Sequence, residues 1–117
     1  MSISVRLMPI VLVAALSATV ARADDDPVFF IEFANGAIMP PVLEVPTDTR
    51  FKMELRNSGS DPVEFESIEL RKEKVLGPGG TSFIVIRRLD PGDYHFFDDF
   101  HPGTAPATLV ARERADQ

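Results

Sequence analysis

Apolar and polar residues alternate in short runs over most of the chain. In the segment 51–56, apolar Phe51, Met53 and Leu55 are separated by charged residues. A period of two is typical of a strand with one buried and one solvated face. Pro, Gly, Asn and Asp separate the runs at close intervals, and residues 24–117 show no helical periodicity. The pattern predicts an all-β fold, a Greek-key β-sandwich.

Turn-forming residues delimit the predicted strands. Asn35-Gly36 predicts a tight turn, and Pro40-Pro41 predicts an edge or a bulge inside the second strand. The charged segment 69–76 has the composition for one helical turn, which the glycine-rich segment 77–80 would end. That glycine-rich segment is a turn and not a phosphate-binding loop, because no Lys-Ser/Thr follows it. The predicted strands are 28–33, 37–45, 51–56, 63–68, 81–88, 93–98 and 108–114.

The first 23 residues differ in kind from the rest and predict a cleavable signal peptide. Arg6 supplies a positive charge, residues 7–20 form an almost uninterrupted apolar run, and residues 21–23 (Ala-Arg-Ala) form a small-x-small cleavage pattern. The apolar run is shorter than the ~20 residues of a membrane span and contains Pro9. We therefore expect one mature domain, 24–117, in the periplasm, without membrane insertion after cleavage.

Charge and cysteine content narrow the possible functions. The formal net charge is −6, and loss of Arg6 and Arg22 with the signal peptide lowers it by two, to −8. This sign argues against nucleic acid and anionic membrane surfaces as partners. The chain contains no cysteine, so it has neither disulfides nor a thiolate ligand or nucleophile. Gly-x-Ser-x-Gly and His-Glu-x-x-His motifs are also absent, which leaves no recognisable hydrolase site.

Carboxylates and the two histidines are the side chains best suited to bind a metal ion or to take part in catalysis. Asp98 continues the core-facing row of its strand, His95 points the other way, and His101 lies within reach of Asp98 across a turn. Glu64 and Glu66, two residues apart, share one strand face. Oxygen and imidazole donors suit Cu(II), Fe(II), Mn(II) or Zn(II) better than Cu(I). The candidate donors are Glu64, Glu66, Glu73, His95, Asp98, Asp99 and His101.

Ordinary structural roles exist for the same residues. Asp98-Asp99 can be a solvated acidic turn, His101 a loop histidine that caps a carbonyl, and the glutamates a wet strand face. His95 is expected to be structural or at the surface, with a lesser role as an outer or second-site ligand. Paired carboxylates also occur in glycosidases, but a sugar cleft needs aromatic walls, and the chain has no Trp and one Tyr.

Several short motifs in a fixed order resemble cupredoxin-like domains of the EfeO type. The resemblance covers nearly all of 24–117 and is most specific from Pro91 to Val110. In blue-copper relatives, that block contains a cysteine ligand, a histidine ligand three residues later and a methionine beyond it. The motifs are Phe51 to Asn57, Pro62-Val63-Glu64-Phe65-Glu66-Ser67, Glu73-Lys74-Val75, Pro78-Gly79-Gly80-Thr81, Leu89-Asp90-Pro91-Gly92-Asp93-Tyr94 and Phe96-Phe97-Asp98-Asp99-Phe100-His101-Pro102.

This chain departs from the blue-copper pattern at three positions. Asp98 stands at the cysteine position, Val63 stands where the upstream histidine is expected, and no methionine follows His101. A type 1 copper centre requires the thiolate, so the resemblance carries over the fold and not blue-copper electron transfer.

The resemblance implies a metal-binding protein of ferrous-iron uptake. A copper or iron ion is expected at His101 with carboxylates from Asp98, Glu66 and Glu73, and with Glu64 nearby. The implied partners are a periplasmic iron-binding protein and an inner-membrane permease, and the implied roles are aiding Fe(II) oxidation or passing iron onward. No catalytic residue is assigned. The alternative is a metal-free structural or interaction module that has lost the blue-copper ligands.

Overall fold

Nine strands in two sheets make up the folded part of the computed structural model, which describes residues 2–14 and 26–113. Within the described residues there is no helix, so the predicted all-β sandwich is confirmed. The strands are β1 Val28–Ala34, β2 Ala37–Met39, β3 Val42–Pro46, β4 Phe51–Asn57, β5 Val63–Ser67, β6 Lys72–Leu76, β7 Thr81–Ile86, β8 Gly92–Asp98 and β9 Ala107–Arg112.

The four-stranded sheet has the order β2-β1-β4-β7 and the five-stranded sheet the order β3-β9-β8-β5-β6. Two neighbouring pairs, β1–β4 and β3–β9, are parallel, and the others are antiparallel. Parallel neighbours cannot be joined by a hairpin, so the chain crosses repeatedly between the sheets.

The core lies between the two sheets. The alternation of 51–55 is confirmed, because Phe51, Met53 and Leu55 are fully buried. Phe65 links the layers: its ring lies edge-on to Phe33 at a centroid distance of 6.4 Å and stacks on Phe96 at 5.0 Å. Each such aromatic pair adds about 1 kcal/mol to the free energy of apolar burial. This aromatic contact fixes the middle of β5 against β8, next to the candidate donors.

The predicted single strand 37–45 is wrong. It divides at Pro40-Pro41 into β2, which pairs with β1, and β3, which pairs with β9 in the other sheet. Proline has no main-chain N–H to donate, so two consecutive prolines interrupt a ladder. The interruption here is a change of sheet, where the sequence suggested an edge or a bulge.

The helical turn considered for 69–76 is also wrong. Residues 72–76 form β6, which pairs with β5 in a hairpin. The hairpin turn is closed by a hydrogen bond from Arg71 N–H to the Ile68 carbonyl at 3.2 Å, with Arg71 at φ 54°. The turn predicted at 77–80 is confirmed by the bond from Gly80 N–H to the Gly77 carbonyl at 2.9 Å.

The N-terminal segment contributes nothing to this core. Residues 2–14 form neither helix nor strand, and their large apolar side chains are at least 78% exposed. The predicted cleavage pattern, 21–23, lies outside the described residues. Across the ranges 2–14 and 26–113, no helix has the length and apolarity that crossing a membrane requires.

Candidate metal centre

All the candidate donors except His95 lie near the place where β5 and β8 meet, but they are divided between the two faces of the five-stranded sheet. Phe65 pairs with Asp98 and Glu66 with Phe97. Directly paired residues share a face, so Asp98 points into the core beside Phe65, whereas Glu66 points outward. The predicted ligand set is therefore divided between an inner and an outer face.

On the inner face, Asp98 is completely enclosed and fully hydrogen-bonded. Its side chain has 0% exposure. Oδ1 accepts hydrogen bonds from the main-chain N–H groups of Glu64, at 3.0 Å, and Phe100, at 3.1 Å. Oδ2 lies 2.6 Å from Nδ1 of His101. Burial of a carboxyl group is costly unless it is hydrogen-bonded, and here both oxygens have partners.

His101 is held in place by the loop that follows β8 and by the turn between β1 and β2. Its carbonyl accepts a hydrogen bond from the Thr104 hydroxyl at 2.7 Å. A Cβ at Gly36 would lie 3.6 Å from the imidazole Cδ2 and only 2.8 Å from Thr104 Cγ2. The ring is 20% exposed, and its Nε2 lies 3.8 Å from an oxygen of Asp61. The Asn-Gly turn recognised in the sequence thus packs against the histidine.

On the outer face, carboxylates come together without histidine. Glu64 and Glu66 project from β5, and Asp99 follows the end of β8; each offers an oxygen within 4.8 Å of the other two. Glu73 of β6 lies directly opposite Glu66 in the ladder. We call these four residues, Glu64, Glu66, Glu73 and Asp99, the acidic cluster. Glu64 and Glu66 are half-buried, whereas Glu73 and Asp99 are exposed.

The acidic cluster raises the pKa of two of its members. The pKa of Glu64 is raised first by burial and then by the charges of Asp99, Glu73 and Glu66. The pKa of Glu66 is likewise raised by burial and then by its interaction with Asp99 and the charge of Glu73. Both causes disfavour the ionised form, and a bound cation would offset both.

His95 lies apart from both groups. Its Nδ1 is 2.9 Å from Oε1 of Glu69, and its main-chain N–H donates to Oε2 of the same carboxylate at 3.0 Å. These interactions with His95 lower the pKa of Glu69. His95 is thus a surface partner of Glu69, the structural role that the sequence suggested for it.

Sequence reasoning named Asp99 as a donor but did not include it in the ligand set. The signal was present in the alternation: if Asp98 faces the core, Asp99 faces the side of Glu64 and Glu66, provided that their strands are neighbours. The pairing of β5 with β8 was the missing fact, because 31 to 33 residues of sequence separate the paired positions.

A two-sheet sandwich with parallel crossings and a histidine loop after its penultimate strand is typical of the cupredoxin-like class. The family model of the cupredoxin-like domain matches residues 7–111. The chain therefore belongs to the cupredoxin-like domain family.

One curated relative is an uncharacterized protein of Rickettsia prowazekii (strain Madrid E). It is 33% identical over 83 residues, which are 71% of this chain and 66% of the relative. The chain therefore spans slightly less than two thirds of that relative's length.

Solved structures share the fold at low identity. A purple cupredoxin from Nitrosopumilus maritimus is 19% identical, with a TM-score of 0.54 over 72% of this chain and 99% of that one. The reduced auracyanin of Roseiflexus castenholzii is 16% identical, with a TM-score of 0.63 over 74% of this chain and 98% of that one. A third structure, solved with Cu(I), is the metal-binding domain of a Cu(I)-exporting P-type ATPase of Streptococcus pneumoniae. It is 11% identical, with a TM-score of 0.64 over 74% of this chain and 85% of that one.

A blue-copper ion does not fit the residues of the inner face. By the resemblance, Asp98 stands at the cysteine position, and its two oxygens are hydrogen-bonded to three partners. Val63, where the resemblance places the upstream histidine, is a fully buried core residue. Nδ1 of His101 is engaged with Asp98. The inner face is therefore a complete hydrogen-bonded arrangement without a thiolate centre.

Proposed function

We propose that this chain is an exported metal-handling protein that binds a divalent cation at the acidic cluster. The observation that carries the proposal is the convergence of Glu64, Glu66 and Asp99, whose oxygens lie within 4.8 Å of one another. Oxygen donors suit hard and borderline divalent ions. A cation would offset the repulsion that raises the pKa of Glu64 and Glu66.

The metal we propose is iron, as Fe(II), carried as cargo. This rests on the resemblance to small components of ferrous-iron uptake and on the all-carboxylate donor set, which suits iron better than Cu(I). Exposed Glu73 and Asp99 leave the cluster open to solvent, so an ion could pass to another protein. The partners we propose are a periplasmic iron-binding protein and an inner-membrane permease. Periplasmic location follows from the predicted signal peptide and belongs to the same proposal.

The proposal is limited to binding and transfer of iron. Oxidation of Fe(II) to Fe(III) releases an electron, and an acceptor of that electron would have to be identified before a ferroxidase role could be written as a balanced step.

Calorimetric titration of residues 24–117 with Fe(II), without oxygen, tests the proposal. We expect saturation at about one ion per chain, and an affinity at least about 30-fold lower in Glu64→Gln/Glu66→Gln, since affinity follows ligand charge. The matched control is Glu32→Gln/Glu54→Gln, which removes the same charge from the four-stranded sheet. Equal losses in both variants, or no binding by the unmodified chain, would contradict the proposal.

The predicted ligand role of His101 and Asp98 is tested in the same titration. If the metal binds at the inner face, His101→Ala abolishes binding while the acidic cluster is intact. If it binds at the acidic cluster, His101→Ala still binds about one ion per chain, and its affinity falls less than that of Glu64→Gln/Glu66→Gln. A parallel titration with Cu(II) applies the same comparison to copper.

The second candidate function is a metal-free interaction module. The inner face favours it, because Asp98 and His101 satisfy each other without a metal. The four-stranded sheet also exposes large apolar side chains, with Phe30 64%, Met39 59% and Phe83 55% exposed. Absence of binding for both Fe(II) and Cu(II) would make this the better description.

A further inference from the structure

The Asp98 side chain connects two residues of the acidic cluster from the opposite face of the sheet. Its Oδ1 accepts from the N–H of Glu64 at 3.0 Å, and Asp99 is the next residue along the chain. A second bond runs from Asp99 N–H to the Glu64 carbonyl at 3.0 Å. Both main-chain polar groups of Glu64 are thus bonded to the segment 98–99.

This connection matters because the regular pairing of β5 with β8 is short. The ladder contains the pairs Phe65–Asp98 and Glu66–Phe97. Beyond Phe65, the position of Glu64 relative to Asp99 depends on the Asp98 side chain and on the single Asp99–Glu64 bond. The spacing of Glu64 and Asp99 therefore depends in part on a buried side chain that faces away from both of their carboxylates.

His101 fixes the orientation of the Asp98 carboxyl group. Its Nδ1 lies 2.6 Å from Oδ2, which leaves Oδ1 for the N–H groups of Glu64 and Phe100. The His101 N–H also bonds the Asp98 carbonyl at 3.1 Å, and this bond closes the turn that contains Asp99.

We infer that Asp98 and His101 are a positioning pair, which holds Glu64 and Asp99 at cation-binding spacing without contacting the cation. The inference rests on the proposed function of the acidic cluster. Removal of a group that holds a metal ligand in place by hydrogen bonds usually lowers metal affinity by about 10- to 100-fold. The pair then has the same role whether the ion is Fe(II) or another divalent cation.

The test compares Asp98→Ala with Asp98→Asn. The asparagine amide keeps an oxygen for the two N–H donors and offers an N–H to His101, whereas alanine offers neither. Two quantities are measured: the Fe(II) affinity by anaerobic calorimetry, and the hydrogen-exchange rate of the Asp99 amide by NMR. Ile84→Ala, in the core of the four-stranded sheet, is the control for general destabilisation.

We expect Asp98→Ala to lower the Fe(II) affinity at least about 10-fold and to speed Asp99 amide exchange by a similar factor. Asp98→Asn should restore both quantities to within about 3-fold of the unmodified chain, since it keeps the hydrogen bonds. Ile84→Ala should leave the affinity unchanged. If Asp98→Ala does not fold, His101→Ala, which removes the partner of Asp98 Oδ2, provides the same two measurements.

Other outcomes overturn the inference in distinct ways. If Asp98→Asn loses as much affinity as Asp98→Ala while Asp99 exchange stays slow, Asp98 is a ligand and not a positioning residue. If the unmodified chain binds no Fe(II), the proposed function fails, and Asp99 exchange alone decides whether the pair holds this segment. Unchanged Asp99 exchange in a folded Asp98→Ala variant would overturn the positioning role itself.

Discussion

The two faces of the β5–β8 junction carry carboxyl groups in opposite situations. On the inner face, Asp98 is fully buried; its Oδ1 accepts hydrogen bonds from two main-chain N–H groups, and its Oδ2 is hydrogen-bonded to Nδ1 of His101. On the outer face, the four carboxylates of the acidic cluster face one another, and the ion pairs among residues 26–113 include none of them. The hydrogen-bonded Asp98 carboxyl group and the mutually repelling carboxylates of the acidic cluster thus lie on opposite faces of the same sheet.

This difference indicates which face stabilises the fold and which one is available for a ligand. A buried group with all its partners stabilises the fold when it is intact and destabilises it strongly when one partner is removed. Carboxylates that repel one another, and so raise the pKa of their neighbours, lower the stability of the fold until a cation or a proton neutralises them. The inner face therefore stabilises the fold, and the repulsion on the outer face supports the cation binding proposed there.

The largest expected effect comes from breaking the inner face. Asp98→Ala leaves the main-chain N–H groups of Glu64 and Phe100 and Nδ1 of His101 without their buried partner, so the free energy of unfolding should fall by about 3 kcal/mol or more. Urea denaturation of residues 24–117 measures this change in the free energy of unfolding. Asp99→Ala, one position along on the outer face, is the control and should change stability much less. Equal losses in the two variants would remove the distinction between the faces.

The next effect tests the packing of the inner face against the β1–β2 turn. Gly36 has φ +92°, and an added Cβ would lie 2.8 Å from Thr104 Cγ2. Gly79 has φ +73° with open space around its Cβ position. Gly36→Ala should therefore lower the free energy of unfolding by about 1 kcal/mol more than Gly79→Ala does, since both share the backbone strain. Similar losses would mean that the turn does not support the His101 loop.

A smaller effect is a pH dependence contributed by the outer face. Because the pKa values of Glu64 and Glu66 are raised above 4.5, the folded chain binds more protons than the unfolded chain. Their contribution stabilises the fold below their raised pKa values and is lost as pH rises from about 4.5 through those values. Thermal unfolding measured across this pH range should show this loss of stability in the unmodified chain and not in Glu64→Gln/Glu66→Gln.

Two controls sharpen that pH experiment. Glu32→Gln/Glu54→Gln should keep the pH dependence of the unmodified chain, because those residues lie on the other sheet. Saturating Fe(II) without oxygen should reduce the dependence, since a cation favours the ionised carboxylates. A pH profile that is identical in all variants would show that the outer carboxylates do not repel one another.

The smallest effect is expected at His95. His95→Gln removes its ring contact with Glu69, and both side chains are well exposed, 55% and 44%. Exposed pairs contribute less than about 1 kcal/mol after solvent screening, so stability should change little. Fe(II) affinity should not change. A loss of affinity would return His95 to the ligand set that the sequence proposed.

Sequence alternation was sufficient for most of the fold. It placed Phe51, Met53 and Leu55 in the core and turned Asp98 inward and His95 outward, because the period of two is a local property of each strand. It failed at 37–45, where the second half of the predicted strand joins β9, more than 60 residues later in sequence. Pairing between distant strands leaves no periodic signal in either one.

The candidate site was predictable to the same extent. The proximity of Asp98 and His101 follows from one strand and the turn after it, and the resemblance to cupredoxin-like domains pointed to the same loop. The split into two faces required knowledge of which strand lies beside β8. Glu73 illustrates this, since it lies opposite Glu66 through the β5–β6 ladder.

The most direct test of cation binding at the outer face is anomalous X-ray diffraction from crystals of residues 24–117 grown anaerobically with Fe(II). We expect an iron peak among the carboxylate oxygens of Glu64, Glu66 and Asp99, with the Asp98–His101 hydrogen bond intact on the inner face. An iron peak bonded to His101 and Asp98 instead, or no iron peak in either place, would contradict it.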